Sequence, residues 1–281
     1  MVLHSYAKLN LYLELLRKRH DGYHDIRTIF ERIDLSDKII LKARSDKKIK
    51  LTCSSTRVPA GRSNLAYRSA KLLQDTFHIH QGVGIKIIKR IPVAAGLGGG
   101  SSNAASVLMG LNNLWGLHLD KNKLVRLAKR IGSDVPFFIY NCQFAQGSGR
   151  GDRIKPLKTF SGLRLWHILV VPRLEVSTPM IYKKWDGLSR TFKLTRQGEG
   201  VKIMTLALRK NNLPLLGEAL FNSLEQVTAK LYPEILRIKE KLSQIGLKSI
   251  LMSGSGPAIF SVVSSGKEAL SLYRQLKRNK G

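Results

Sequence analysis

The sequence predicts an α+β protein in two halves of similar complexity, and three observations carry that expectation. Apolar and polar residues alternate through most of the first fifty positions, the pattern of half-buried strands. Helical spacing takes over in blocks between positions 63 and 132 and again beyond 200, with strand-like runs between the blocks. A glycine-rich strand-to-helix junction, "PVAAGLGGGSSNAA" from Pro92, falls in the first half, and "TFSG" at Thr159–Gly162 offers a linker to the second. With 281 residues the chain suits one large domain or two closely packed ones.

Taken in order, "AKLNLYLELL" reads as a strand with Leu9, Leu11, Leu13 and Leu15 on one face and Lys8, Asn10, Tyr12 and Glu14 on the other. "HDGYH" is a turn, and "IRTIFERIDLSDKIILKAR" reads as further strand broken near Ser36–Asp37. "KKIKLTCSS" is a short strand, and "SNLAYRSAKLLQDTF" a helix with an N-cap candidate at its start. "GVGIKIIKRIP" returns to strand and leads into the glycine junction, after which a helix is expected from Ser101 or Ser102 to about Trp115. A helix capped by Asp120 and Gly132 follows, then a short loop, an apolar strand over "VPFFIY" and a glycine turn. In the second half, "LRLWHILVVP" is a strand and helices are expected around 200–211, 213–229 and 231–245. "KSILMSGSGPAIFSVVSS" reads strand, glycine turn, strand, and a last helix covers about 266–278.

The charge balance is unusual: 48 Lys and Arg against 19 Asp and Glu leave +29. Such a field favours phosphates, polyanions or anionic surfaces, or it is simply a solvated basic surface. The basic residues are scattered, with small clusters at Arg17–Arg19, Lys47–Lys50 and 274–280, and no aromatic-interleaved stripe marks a nucleic-acid reader. Cys53 and Cys142 form no disulfide framework and lack metal-ligand spacing, so a reducing compartment is expected. The N-terminus does not read as a secretory signal and no apolar run approaches a membrane span, which points to the cytoplasm and to no membrane partner.

A helix N-terminus carries unpaired N–H groups and partial positive charge, and glycines before it let consecutive amides close on a phosphate. "GLGGGSS" supplies glycines, a helix start and two hydroxyls. No Lys-Ser/Thr pair follows, so it is not a Walker A motif, and the expected acidic residue of a dinucleotide fold is missing. The loop therefore says nucleotide or phosphate, without naming a reaction. Phosphoryl transfer to a hydroxyl also needs a base, for which Asp134 in "GSDVPFF" is a candidate, although a loop aspartate is commonly a turn or cap residue. Lys8 shares a strand face with Asn10; it is either edge charge or, if it meets Asp134, the group that keeps that carboxylate ionised.

In sequence order, "YAKLNLYLEL", "PVAAGLGGGSSNAA" and "LMSGSGPAIF" resemble the motifs of the GHMP kinases, small-molecule kinases named after galactokinase, homoserine kinase, mevalonate kinase and phosphomevalonate kinase. The resemblance spans nearly the whole chain, and "RHDGYHDIRTIF", "GSDVPFF" and "STPMIY" are similar to the subgroup whose acceptor is a cytidine diphosphate-linked methylerythritol. It implies a two-domain α+β fold: a ribosomal-protein-S5-like N-terminal domain over 1–159 and a ferredoxin-like C-terminal domain over 160–281. It implies ATP-dependent phosphorylation of the acceptor's 2-hydroxyl, in the non-mevalonate route to isoprenoids, with ATP and Mg²⁺ as cofactors. Lys8 and Asp134 fall on the family's catalytic pair. Pro92, Gly96, Leu97, Gly98, Gly99, Gly100, Ser101 and Ser102 fall on the ATP phosphate loop, and Asn64 near the adenine. Asn10, Tyr23, His24 and Tyr182 fall on the acceptor site, the aromatic rings on the cytosine. Ser102 is a candidate metal ligand and the rest of the metal shell is open. The partner implied is a small-molecule substrate, not nucleic acid, with the chain a monomer or homodimer. Two other readings stay on the table: a kinase for another small alcohol, such as homoserine or mevalonate, and an RNA-binding protein on an α+β scaffold.

Overall fold

The structure, a computed structural model, describes residues 1–188 and 199–278. The chain divides into two compact units. The first gathers Met1–Leu9, Glu31–Val93 and Leu97–Pro156; the second gathers Asn10–Phe30, Ala94–Gly96 and the chain from Leu157 onward. Two long strands, β1 (Val2–Lys18) and β2 (His24–Arg44), each contribute to both units.

In the first unit β1 and β2 are joined by β3 (Ile49–Cys53) and β4 (Gly82–Ile88) in the order β3-β4-β2-β1. β4 runs antiparallel to β2, with Lys38 opposite Ile88, and parallel to β3, with Ile49 opposite Val83. Helix α1 (Leu65–Phe77) precedes β4, and its start is capped by Asn64, whose Oδ1 accepts from Ala66 N at 2.8 Å. α2 (Gly99–Leu114) packs on α1 and on α4 (Val135–Tyr140), with α3 (Lys121–Ile131) beside them. Residues from Ser102 to Leu111 are almost all buried in α2, which explains its lack of a polar face: the helix is enclosed by its neighbours. β5 (Phe144–Ser148) pairs with β2 and with β6 (Arg153–Pro156).

The second unit holds an antiparallel sheet, β7 (Trp166–Val170), β10 (Ile259–Val263) and β9 (Ile250–Met252), in the order β7-β10-β9. Its helices are α5 (Thr178–Leu188), α6 (Glu199–Lys210), α7 (Leu213–Ala219), α8 (Glu225–Leu231), α9 (Glu234–Gln244) and α10 (Gly266–Arg278). A two-residue strand, β8 (Phe221–Asn222), pairs parallel with β1. The core here joins Leu13, Leu15 and Ile26 to Ile181, Trp185, Val227 and Ile259.

The α+β expectation holds, with four local corrections. β2 is not broken at Ser36–Asp37: Asp37 is fully buried, and its carboxylate accepts from Lys89 Nζ, Arg90 N and Ile91 N. A charged residue with three donors fits inside a strand without ending it. The helix after the glycine loop begins at Gly99, so Ser101 and Ser102 lie in its first turn rather than starting it. "VPFFIY" is helix α4, not a strand; a six-residue apolar run has no periodicity to read, and the deciding signals are Pro136 in the first turn and Asn141 closing the helix at φ 50°. The helix expected over 213–229 is divided by β8, because Asn222 Nδ2 donates to Met252 O and Gly254 O while Phe221 stacks on Tyr12.

Candidate active site

β1 is not half-buried as its alternation implies: Lys8, Asn10, Tyr12 and Glu14 are all buried, as are the leucines opposite them, and of the two readings of Lys8 edge charge is excluded. A buried ammonium needs a partner. Lys8 Nζ lies 3.6 Å from Asp134 Oδ2, longer than a direct hydrogen bond but close enough for ion pairing; the lysine side chain is 5% exposed and the aspartate 33%. Asp134 occupies the N-cap position of α4, yet its side chain makes no capping bond, so the carboxylate is not spent on holding the helix. Gly132, closing α3, and the apolar body of α4 fix where it emerges.

Lys8 also meets the glycine loop. Its backbone N–H donates to Leu97 O at 3.0 Å. Gly98 has φ +67°, and a Cβ there would stand 2.9 Å from Lys8 Cγ and 3.2 Å from Phe138 of α4. Only glycine fits between those side chains with that backbone. Gly98 is the N-cap of α2, it offers no side-chain cap, and no acidic residue lies in the first turn. The first intrahelical bond there is Ser102 N to Gly98 O at 2.9 Å, so the N–H groups of Gly99, Gly100 and Ser101 precede it. The Lys89 ammonium, paired with Asp37, also borders the loop, its Nζ 3.1 Å from where a Cβ on Gly99 would be. Lys8, Leu97, Gly98 and Asp134 are thus brought together beside the start of α2, a helix end of the kind that attracts anions.

Other predicted donor-side residues are used differently. Ser102 is 2% exposed, and its hydroxyl is 2.8 Å from Ser5 Oγ, which also lies 2.7 Å from Asn103 Oδ1; that hydroxyl is engaged inside the unit. Asn64 caps α1 and donates to Pro59 O at 2.7 Å, so both ends of its amide hold the chain around the helix start. Pro92 is partly buried between β4 and the loop. Among the described residues no group of three or more His, Cys, Asp or Glu side chains is arranged to hold a metal ion. The donor set therefore fits phosphate well and gives a metal ion no carboxylate cage.

In the second unit, Gly96 (φ +74°) lies against the chain at Ser253: a Cβ on it would be 2.1 Å from Ser253 O. Ser253 Oγ donates to Gly96 O at 3.1 Å and accepts from Asn10 N at 3.3 Å. Asn10 Nδ2 donates to Thr28 Oγ1 at 2.8 Å. His24 and Tyr182 are neighbours, with ring centroids 5.4 Å apart and planes at 44°. Tyr23 is half exposed at a turn in which Arg19 N donates to Tyr23 O and Tyr23 N to Asp21 Oδ1. The Arg19 guanidinium reaches both Asp21 and Asp25. Its bonds, with help from Arg17, hold the Asp25 carboxyl below the usual carboxylate range against the opposing effect of burial.

Sequence reasoning missed Ser253, Lys89 with Asp37, and three residues around His24: Lys18, Trp185 and Asp186. Asp186 Oδ1 is 2.5 Å from His24 Nε2, and its Oδ2 accepts from Lys18 Nζ at 2.6 Å. The only available signal was spacing, since Asp186 falls four residues beyond Tyr182, one helical turn.

A basic side chain paired with an unspent carboxylate beside an uncapped, glycine-led helix start defines a phosphotransferase acting on small molecules. The chain belongs to the GHMP kinase family: the model of the GHMP kinases N terminal domain matches residues 64–142 and that of the GHMP kinases C terminal matches 204–281. Within that family it is 41% identical over 271 residues to the 4-diphosphocytidyl-2-C-methyl-D-erythritol kinase of Shouchella clausii, covering 96% of this chain and 88% of that one. It is 39% identical over 273 residues to the kinase of the same name from Bacillus subtilis, covering 96% and 91%. A crystal structure of 4-(cytidine 5'-diphospho)-2C-methyl-D-erythritol kinase superposes with a TM-score of 0.78 at 33% identity, covering 98% of this chain and 96% of that one.

Proposed function

We infer that the chain is an ATP-dependent kinase that phosphorylates the 2-hydroxyl of 4-diphosphocytidyl-2-C-methyl-D-erythritol, in the non-mevalonate route to isoprenoid precursors. The observation that carries the chemistry is the Lys8–Asp134 pair at 3.6 Å, set against Gly98 at the head of α2. The identity of the acceptor rests on relatives at about 40% identity over nearly the whole chain.

In this reading Asp134 accepts the proton of the acceptor hydroxyl, and its freedom from capping supports that role. Lys8 favours the ionised carboxylate and offsets negative charge that develops as the phosphoryl group moves. The N–H groups at the start of α2, with Gly96 to Ser102, hold the ATP phosphates, and Asn64 stands near the adenine. Tyr23 and Tyr182 flank the cytosine, with His24 and Asn10 on the polar side of the acceptor. Mg²⁺ arriving with ATP would supply charge neutralisation on the phosphates, and among the described residues no group of three His, Cys, Asp or Glu side chains stands ready to hold it. Residues 1–159 then form the domain with the phosphate loop and catalytic pair, and 160–281 the C-terminal domain. We place the enzyme in the cytoplasm, working as a monomer or homodimer without a nucleic-acid or membrane partner. Its two free cysteines agree with a reducing compartment, and among the described residues no helix is long and apolar enough to cross a membrane.

The test is ATP consumption with the cytidylyl acceptor, set beside mevalonate and homoserine. Turnover with the cytidylyl acceptor alone is expected. Equal or faster turnover with either of the other alcohols would overturn the acceptor assignment while leaving the kinase chemistry in place.

A further inference from the structure

Asp186 has no part in the reading above, yet it anchors a tightly bonded cluster around His24. It receives His24 on one oxygen at 2.5 Å and Lys18 on the other at 2.6 Å, so α5 is tied to the end of β1 and the start of β2. Burial raises the Asp186 carboxyl, but the bonds from Lys18 and His24 outweigh it and hold the group below its usual range. An ionised carboxylate has only acceptor sites. The His24 nitrogen facing it, Nε2, must therefore carry a proton. The ring has little room to reorient: it is 4% exposed, tilted against Tyr182 and edge-on to Trp185 at 5.5 Å and 87°.

In a neutral imidazole protonated on Nε2, the lone pair sits on Nδ1. Cytosine offers an amino donor at position 4, whereas uracil offers a carbonyl oxygen there. A lone pair meets the first as a hydrogen bond and the second as two opposed acceptors, which is the kind of mismatch that gives selectivity by repulsion. We propose that Asp186 is a specificity-determining positioning residue: by fixing the Nε2–H tautomer of His24, it makes Nδ1 an acceptor that favours an amino-bearing over a keto-bearing pyrimidine on the substrate. This rests on the reading of His24 as a base-contacting residue. Lys18 supports it by occupying the second carboxylate oxygen, which leaves the first oriented at His24.

The experiment compares the wild-type chain with Asp186→Asn and Lys18→Ala, measuring kcat and KM for the cytidylyl acceptor and for its uridylyl analogue. The asparagine amide can turn its NH2 toward Nε2 and release the tautomer. The expected result is a fall of about tenfold in the cytidylyl-over-uridylyl ratio of kcat/KM for Asp186→Asn, the scale of one lost hydrogen bond. That fall is expected in KM, with kcat on the cytidylyl acceptor little changed, and Lys18→Ala should show the same trend more weakly. A structural role alone would weaken both acceptors equally, and an unchanged ratio overturns the proposal. Independently of folding in the variants, ¹⁵N spectra of the wild-type imidazoles are expected to show His24 protonated on Nε2 and bare on Nδ1; the reverse pattern, or a ring protonated on both nitrogens, whose Nδ1 would donate rather than accept, also overturns it. A wild-type chain idle with both nucleotidyl acceptors but showing the Nε2–H signature overturns the base preference through the acceptor assignment, leaving the Asp186–His24 coupling intact.

Discussion

In the first unit the proposed chemistry is held mostly by main chain: Leu97 O, the N–H groups at the head of α2, and glycines whose missing Cβ atoms admit Lys8 and Phe138. In the second unit the base-side residues are held by side chains on side chains: Lys18 and Asp186 on His24, Tyr182 and Trp185 around it, Arg19 across Asp21 and Asp25. The difference follows the ligand. A phosphate is the same in every nucleotide and is well served by amides, which every residue carries. A base must be told from other bases, which needs stacking surfaces and a chosen pattern of donors and acceptors, and side chains supply the widest choice of both. Substitutions in the first unit should therefore act on rate or on folding, whereas those in the second should act on acceptor KM.

The largest effect is expected for Asp134→Ala. Loss of a general base lowers kcat by about a thousandfold, within the usual range for such groups. The fold should persist, with a lower melting temperature, because the substitution takes the carboxylate away from the buried Lys8 ammonium while costing α4 no capping bond. A kcat near wild type would remove Asp134 from the chemistry and dissolve the contrast on its first side. Next is Gly98→Ala, where alanine must adopt φ +67° with its Cβ 2.9 Å from the Lys8 stem. The left-handed backbone alone costs about 1–2 kcal/mol. A melting temperature lower by several degrees and at least about a tenfold loss in kcat/KM are expected, readable by thermal denaturation and initial rates.

On the other side, Tyr182→Ala should raise KM for the cytidylyl acceptor by up to about tenfold, the worth of one aromatic stacking contact, with KM for ATP unchanged. A rise in both constants would show the ring to be general packing. The smallest effect is expected for Arg19→Ala. The ion pairs it breaks are partly exposed, so a two- to threefold rise in acceptor KM is about the limit. A larger change in kcat than in KM would mean the turn at Tyr23 matters to the chemistry itself.

Much of this contrast was legible in the sequence, but unevenly. The glycine loop announced itself by residue type and order along the chain, whereas Lys8 and Asp134, read alone, look like edge charge and a cap, and only the family resemblance singled them out. The strands and most helices followed from period, since alternation and helical spacing survive without knowledge of neighbours. What period could not show was how much of β1 is buried: Lys8, Asn10 and Glu14 look like a solvated face until other elements cover them. α4 was unreadable for a related reason, because a short run buried on all sides has no polar residues to set a phase. Asp186 was missed because a single aspartate on a helix resembles any surface charge. Its meaning comes from Lys18 and His24, more than 160 positions away along the chain.

Asp37 has a consequence for the timescale of motion at the entrance to the phosphate loop. Its buried carboxylate takes the amide hydrogens of Arg90 and Ile91 at 2.7 and 2.9 Å, although neither residue belongs to a strand. Those two hydrogens should exchange with solvent as slowly as their neighbours in β4, while the amides of Gly99 and Gly100 exchange quickly in the free enzyme and slow when ATP is added. Backbone order then persists three residues past the visible end of the strand, and the freedom supplied by glycine begins only after an acidic peg has fixed the chain that delivers it.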